Sequence, residues 1–446
     1  MNLLKPLILK GEIMSELIKK IPAIDGEFLT YPSGEGCELY LLKGVGFEAF
    51  TTYCMKLGQS GFSCVNKNKI ENNFFEFYKK ENVIVCVGYY DCDKTMRIVV
   101  DEKTDFPEFV QRKVTKKTDS VFWQFEVDHS LIDCGMCYIL KLSSGAFFII
   151  DSAHTYSIND CERIHKFLRE RTPENEKIHI AGWFFSHAHD DHIAQFISYL
   201  NFYCYDTVID ALYYNFISSD HRDGTDWMET HRGYVALFNN ALENHPEIPV
   251  IRLHTGQTFY IDNLKVDVLC SHEDVFPNDN SNFNDSSVVI MLTVDDTKIL
   301  MPGDAGHEES YILEARYPEY LKSDIVQSAH HGHFGTTEDF YRLVKANVVL
   351  FPVTQIMFDG DFDRYPANKV AIDLADEYHI ASNGTVEIPL PFKKGNLKVY
   401  PDETFESFKG VFDLWTYTYT PEYKEKLYKE YLARGGKPLD EYKDGF

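Results

Sequence analysis

A chain of 446 residues with 44% hydrophobic and 25% charged content has the composition of a soluble globular protein with room for two or three domains. Lys and Arg number 44 against 69 Asp and Glu, a formal net charge of −25. That balance argues against a long nucleic-acid or anionic-membrane surface, because phosphate binding runs on basic side chains, but it leaves room for a small phosphate-bearing substrate. No apolar run approaches the ~18 residues of a membrane-spanning helix, and no signal-like leader precedes the ten scattered cysteines. Free thiols and a cytoplasmic location are therefore expected.

Residues 1–34 read as an N-terminal extension, with Met14 as an alternative start to Met1. Residues 35–120 read as a small α+β module: a helix over 46–57, then strands over 74–78, 83–90 and 96–100 separated by turn residues. The module carries no chemical motif. The basic run at 111–117 reads as a linker into a larger domain over 121–400, where strands and helices alternate. Cys134 and Cys137 make the only C-x-x-C, with no second pair to complete a zinc site. A hairpin is expected over 138–151, a helix over 159–171 capped by Ser157, and an apolar strand over 178–185. Next comes Ser186-His187-Ala188-His189-Asp190-Asp191-His192, followed by a helical run over 193–200. Strands over 208–214, 250–253 and 266–270 flank a helix over 228–244. A second hairpin spans 287–301. The alternation then resumes with a helix at 308–320, a strand at 325–328, a helix at 338–345, a strand at 348–353, a helix at 369–378 and a closing hairpin through Asn383-Gly384. Residues 401–446 form a C-terminal tail with an amphipathic helix over 421–433.

Three clusters carry the chemistry. H-x-H-x-D-H at 187–192 places three imidazoles and a carboxylate at a strand-to-helix turn, where open α/β sheets put their ligand sites. Imidazole with carboxylate suits zinc, with manganese or iron as alternatives. Gly303-Asp304-Ala305 and Ala329-His330-His331-Gly332-His333-Phe334-Gly335 also follow strands and precede helices, so the three clusters can converge on one edge. Metal binding lowers the pKa of water toward ~7, and two metals ~3.5–4 Å apart can clamp the oxygens of an ester or phosphodiester. Asp191 is expected to be a ligand or to orient water, while Asp190 faces solvent or caps the helix. His154, His330 and His333 stand near enough in sequence to reach the site or a substrate oxygen. His307 is a weaker candidate. His221, His231, His245, His254 and His272 lack ligand spacing and are expected to be structural.

The order of these clusters resembles the metallo-β-lactamase superfamily over roughly residues 125–400, and the strand ending in Asp151 is similar to that superfamily's strand beside the metals. Asn284-Asp285-Ser286-Ser287, Gly303-Asp304-Ala305 and His330-His331-Gly332 most resemble the hydrolase domain of bacterial DNA-uptake competence channels. The resemblance implies an αββα sandwich of two mixed sheets, within an α/β (α+β) class. It implies two divalent metal ions, zinc first: His187 and His189 on one, Asp191, His192 and His331 on the other, and Asp304 bridging. Catalytic work is expected of Asp191, His331 and His330. Many members have one more histidine on the first metal, where this chain reads Asn282-Phe283-Asn284-Asp285-Ser286. Asn284 or Asp285 is the candidate to fill that gap, and single-metal occupancy stays open. Asp151, His154 and His333 are further candidates. The expected activity is a metal-dependent hydrolase acting on an ester-like bond, preferably a phosphodiester of a small molecule or nucleotide. A lactonase or β-lactamase-like hydrolase is the alternative, and a scaffold with a degenerate site is the alternative from another class. No membrane partner and no long nucleic acid are expected; a homodimer is compatible with the sequence.

Overall fold

The computed structural model describes residues 15–107, 110–112, 117–126, 134–154, 160–217, 228–275, 283–401, 412–413 and 418–433. The expected cap Ser157 and His221 lie outside them.

Two mixed sheets stack face to face. The first runs in the order Val250–Arg252, Leu212–Tyr214, Ile178–Phe184, Phe147–Ile150, Tyr138–Lys141, Val121–Gln124, Thr385–Pro389, Lys398–Tyr400, with Thr207–Ile209 also pairing with Ile178–Phe184. The second runs Thr258–Ile261, Leu264–Cys270, Val289–Val294, Thr297–Met301, Ile325–Gln327, Val348–Phe351, Glu377–Ile380. Side chains alternate across a strand, and the core follows that period of two. Ile290, Leu292 and Ile299 meet Leu140, Phe148 and Ile150 of the first sheet in the central layer. Val289, Met291 and Leu300 point outward, under the helices His307–Arg316, Glu338–Val344 and Pro366–Leu374. The first sheet's outer face is covered by Asp160–Glu170, Asp190–Tyr203 and Met228–Glu243. Every residue of Asp190–Tyr203 is buried, because neighbouring helices enclose it, including the C-terminal helix Pro421–Ala433. The arrangement is the αββα sandwich that the resemblance implies.

Four strands aim their C-terminal ends at one edge. Phe147–Ile150 runs parallel to Ile178–Phe184 in one sheet, and Thr297–Met301 parallel to Ile325–Gln327 in the other. The residues just beyond them carry Asp151, His187, Asp304 and His331. Hydrogen bonds from Val288 N to Ser186 O (2.8 Å) and from His330 N to Gly303 O (3.1 Å) hold these strand ends together.

The N-terminal part is larger than its sequence suggests. A six-stranded antiparallel sheet runs Leu29–Gly34, Cys37–Leu42, Thr95–Asp101, Val83–Tyr90, Asn73–Lys80, Ser63–Ile70. Its first strand falls inside the stretch expected to be an extension. One face packs on the helix Phe47–Gln59. The other face, with Leu39, Phe75, Phe77 and Val99, joins the outer core of the second sheet. Two further expectations fail. The helix expected over 369–378 ends at Leu374, and Tyr378 lies in the strand Glu377–Ile380. The turn at Asn383-Gly384 closes no hairpin: it carries the chain from one sheet to the other.

Candidate metal centre

The H-x-H-x-D-H run bends out of Ile178–Phe184 and straight into Asp190–Tyr203. Asp190 and Asp191 fall in that helix's first turn, where negative charge complements the exposed N–H groups. Two ligand groups form. Asp191, His192, Asp304 and His331 each offer an atom within 4.8 Å of one another, as do His187, His189 and Asp304. Asp304 belongs to both. Its Oδ1 lies 3.3 Å from His192 Nε2 and 3.4 Å from His331 Nε2, while its Oδ2 lies 3.8 Å from His187 Nε2. His331 Nε2 is 2.9 Å from Asp191 Oδ2.

The donor set fits cations. Nε2 of His187, His192 and His331 and Oδ1 of Asp304 are buried and make no aligned hydrogen bond. Leaving buried polar atoms unmatched costs ~1–3 kcal/mol each, so four converging on one space mark a place for a ligand. The opposite ring nitrogens are all occupied. His192 Nδ1 donates to Asp151 Oδ2 at 2.6 Å, and His331 Nδ1 donates to Pro352 O at 2.7 Å. His187 Nδ1 lies 3.1 Å from Ser186 Oγ and 3.4 Å from Ser287 Oγ. The Asp151 carboxylate and the Pro352 carbonyl are pure acceptors, so His192 and His331 carry a proton on Nδ1 and turn Nε2 inward, as outer partners of metal-binding histidines do.

Asp151 is therefore an orienting group. It also accepts from Ser186 N and Ser186 Oγ, both at 2.8 Å, and sits at φ +54°. Ser186 and Ser287 were not singled out from the sequence; only the position of Ser186 directly before the histidines hinted at a role. Ser287 accepts from Asp304 N at 3.0 Å. Gln327 clasps the Gly303 backbone at both its N–H (2.8 Å) and its carbonyl (2.9 Å).

Other candidates are placed elsewhere. Asp285 accepts from Gly306 N at 2.8 Å, at the start of His307–Arg316, and stands outside the ligand groups. Asn284 Nδ2 lies 3.2 Å from His330 Nε2. His330 itself is partly open to solvent, with Nε2 4.0 Å from Asp304 Oδ2 and Nδ1 donating to Phe334 O. His333 pairs with Asp361. His154 Nε2 is 3.8 Å from Asp190 Oδ2, and Asp190 is buried instead of facing solvent. Cys134 Sγ donates to Asp191 Oδ2 at 3.4 Å, so the first cysteine of the C-x-x-C sits beside the site. On the other side Phe283 stacks on His189 with ring centroids 4.9 Å apart.

The electrostatics agree with a cation site. Burial opposes charge on every group, yet Asp304 and Asp191 outweigh it at two imidazoles. His192 is held well above the usual range and His331 is pushed up to about 10. Burial, with His192 beside it, takes His187 down to about 3. The neighbouring imidazoles overcome burial to hold Asp191 and Asp304 well below the carboxylate range. Metal ions entering this cluster must displace protons.

A third group among the described residues, Cys37, Asp101 and His254, is also close-set and buried. Its geometry is that of an ion network. His254 Nδ1 lies 2.8 Å from Glu273 Oε1 and its Nε2 3.2 Å from Asp101 Oδ2, while the cation Arg252 is 2.8 Å from the same Asp101 oxygen. His254 and His272 are structural, as their spacing suggests.

No family model matches the chain, and no curated protein matches it. Among solved structures the chain is similar to a diphosphatase from the PhnP family, at 12% identity over 52% of this chain and 86% of that one, TM-score 0.31. It is similar to a metallo-β-lactamase from Cronobacter sakazakii, at 13% over 46% and 76%, TM-score 0.28. It is also similar to the short form of human tRNase Z, at 11% over 52% and 90%, TM-score 0.30. Likeness at this level carries no argument about substrate; the side chains must supply it. No helix among the described residues is long and apolar enough to cross a membrane.

Proposed function

We propose that the chain is a binuclear metallohydrolase acting on a phosphodiester of a small molecule or nucleotide. The observation that carries the reading is the set of four buried, unmatched nitrogen and oxygen atoms of His187, His192, His331 and Asp304, converging between two strand ends of each sheet. His187, His189 and Asp304 would hold one divalent ion; Asp191, His192, His331 and Asp304 the other, with zinc as the first choice and manganese or iron as alternatives. Such ions supply a lowered pKa for water and polarisation of the scissile oxygen. The protein's own part is positional. Asp151, Ser186, Ser287 and Pro352 fix the imidazoles. Asp191, within 2.9 Å of His331, can hold a cation or accept a proton from a nucleophilic water. His330, at the mouth, can donate to a substrate oxygen. The motifs shared with competence-type hydrolase domains favour phosphodiester chemistry, and the net charge of −25 favours a small substrate over a long nucleic acid.

The test is an assay of zinc- and manganese-reconstituted protein on bis-p-nitrophenyl phosphate, a lactone panel and nitrocefin. Diester turnover that disappears with a chelator is expected. Turnover confined to lactones or nitrocefin would rule the diester out.

A further inference from the structure

Beside the metal centre lies a cleft of about 640 Å³, lined by the outer face of His307–Arg316, the loop after His333 and the start of Pro366–Leu374. That volume suits a small-molecule site, for which ~300–1,000 Å³ is typical. Its walls are unusual for a surface this acidic. Phe334 is 53% exposed and Tyr311 is 54% exposed, and Tyr365, directly before Pro366–Leu374, has its ring centroid 6.2 Å from that of Phe334. His307 packs on Phe334 with ring centroids 4.5 Å apart and fixes its orientation. Exposed aromatic rings gathered in a concavity next to a reactive centre are the usual mark of a ligand surface.

The cleft adjoins the metal centre. His333 lines its inner end, and the His333 ring is 6.3 Å from that of the ligand His331. The backbone carbonyl of Phe334 accepts from His330 Nδ1 at 2.9 Å, a contact that does not depend on the aromatic ring and ties the loop to the histidine at the mouth. Arg364 stands on the cleft's rim. Its side chain is 71% exposed, with one loose ion pair to Asp361 at 3.9 Å, whereas the other arginine there, Arg342, is clasped by Glu338 and Asp339 at 2.6 Å each.

On the hydrolase reading above, we propose that this cleft is the substrate's nucleoside subsite: a nucleobase stacks on the exposed face of Phe334 beside Tyr311, Arg364 reaches the sugar or its phosphate, and the scissile diester extends past His333 to the metals. Stacking on an aromatic side chain needs no particular base, since every base has a π-face.

Two diesters with one leaving group separate the subsite from the chemistry: the p-nitrophenyl ester of thymidine monophosphate and methyl p-nitrophenyl phosphate. The metal-loaded full chain should prefer the nucleotide ester in kcat/KM. Phe334→Ala should cut that preference at least about 5-fold while leaving the methyl ester unchanged, and Phe334→Tyr should restore it. Arg364→Ala should raise KM for the nucleotide ester alone. Saturation-transfer NMR with thymidine monophosphate gives a reading independent of turnover: base protons should be saturated with wild type and lose the effect with Phe334→Ala. Hydrolysis of both esters at equal kcat/KM, or base protons that never saturate, overturns the subsite and leaves the hydrolase standing. Base saturation that depends on Phe334, with neither ester hydrolysed, supports the subsite and sinks the diesterase.

Discussion

Asp304 carries more of the site than any other side chain, because it is the one carboxylate common to both ligand groups. Asp304→Ala should lose at least one metal per chain and reduce turnover well beyond the ~10–100-fold typical of an outer partner. Asp304→Asn keeps the shape but removes the charge, so it should bind metal almost as poorly. His245→Ala, a half-buried histidine paired only with Glu247, is the matched control. Metal content by plasma mass spectrometry decides the matter: wild-type stoichiometry in Asp304→Ala refutes the site. Asp151→Asn tests the next layer. It keeps the volume but weakens the grip on His192 Nδ1, so metal affinity should drop ~10–100-fold in a competitive chelator titration, with the melting curve little changed in shape. The contrast explains what could be read in advance. The candidate ligands sit within three short runs, so their residue types and spacing announce them. Gln327 and Pro352 act across the fold, Gln327 through both its amide oxygen and nitrogen and Pro352 through its carbonyl, and nothing in their local sequence separates them from other glutamines or prolines; Ser186 and Ser287 stand beside or within the motifs, but their residue type does not reveal that they act as orienting groups.

At the level of elements, the site depends on strand ends meeting closely. Gly303 sits at φ +61°, and a Cβ there would lie 2.8 Å from Ser186 Cβ and 3.0 Å from Ser287 Oγ. Those serines hold His187 and the Asp304 N–H. Gly303→Ala should therefore lower metal affinity although it touches no ligand, and add backbone strain of ~1–2 kcal/mol. Calorimetric titration with zinc checks the first claim and denaturant unfolding the second; unchanged affinity would show that the turn can relax. The turn is legible as Gly-Asp-Ala, but its neighbours are not. The same divide runs through the strands. Val83–Tyr90 is buried throughout and its apolar run reveals it. Ser63–Ile70 is a mostly exposed edge strand with polar residues on both faces, so it has no alternation to find. Leu29–Gly34 contains Pro32 and Gly34, residues that argue against a strand, yet it lies at a sheet edge and slips register at those two residues. The helix ending at Leu374 was overextended because apolar spacing continues beyond it. Ala375 turns to extended backbone there, and the chain adds Glu377–Ile380 to the sheet edge.

For the molecule as a whole, the N-terminal sheet is bound into the body through charge as well as packing, which no local sequence pattern could reveal. Arg97 of the sheet and Arg316 of the outer helix share Asp274 Oδ1 at 2.6 Å each, in full burial for Arg97 and Asp274. Deleting residues 1–120 would take Arg97 from Asp274 and Ser33 from Glu273 and uncover the apolar face around Leu269, Met291 and Leu300. The truncated chain is expected to aggregate, and Arg97→Ala alone, which leaves Asp274 its contact with Arg316, should cost ~1.5–3 kcal/mol in urea unfolding. The second tie is His254, set between Asp101 of the sheet and Glu273 of the body, with Arg252, His272 and Cys37 around it. Burial opposes its charge, but Glu273 and Asp101 prevail and raise it from 6.5 to about 9. A raised folded pKa means that the stabilisation is complete below pH 6.5 and is lost as pH climbs through about 9. The shift corresponds to about 3 kcal/mol. His254→Gln cannot carry the charge, so the wild-type advantage over it should shrink by roughly that amount between pH 6.5 and 9.5. Urea unfolding of both, metal-free, at half-unit pH steps measures it. If the two stability curves run parallel across that window, His254 is neutral in the folded protein, and the sheet is held by the Arg97–Asp274–Arg316 network and apolar packing alone.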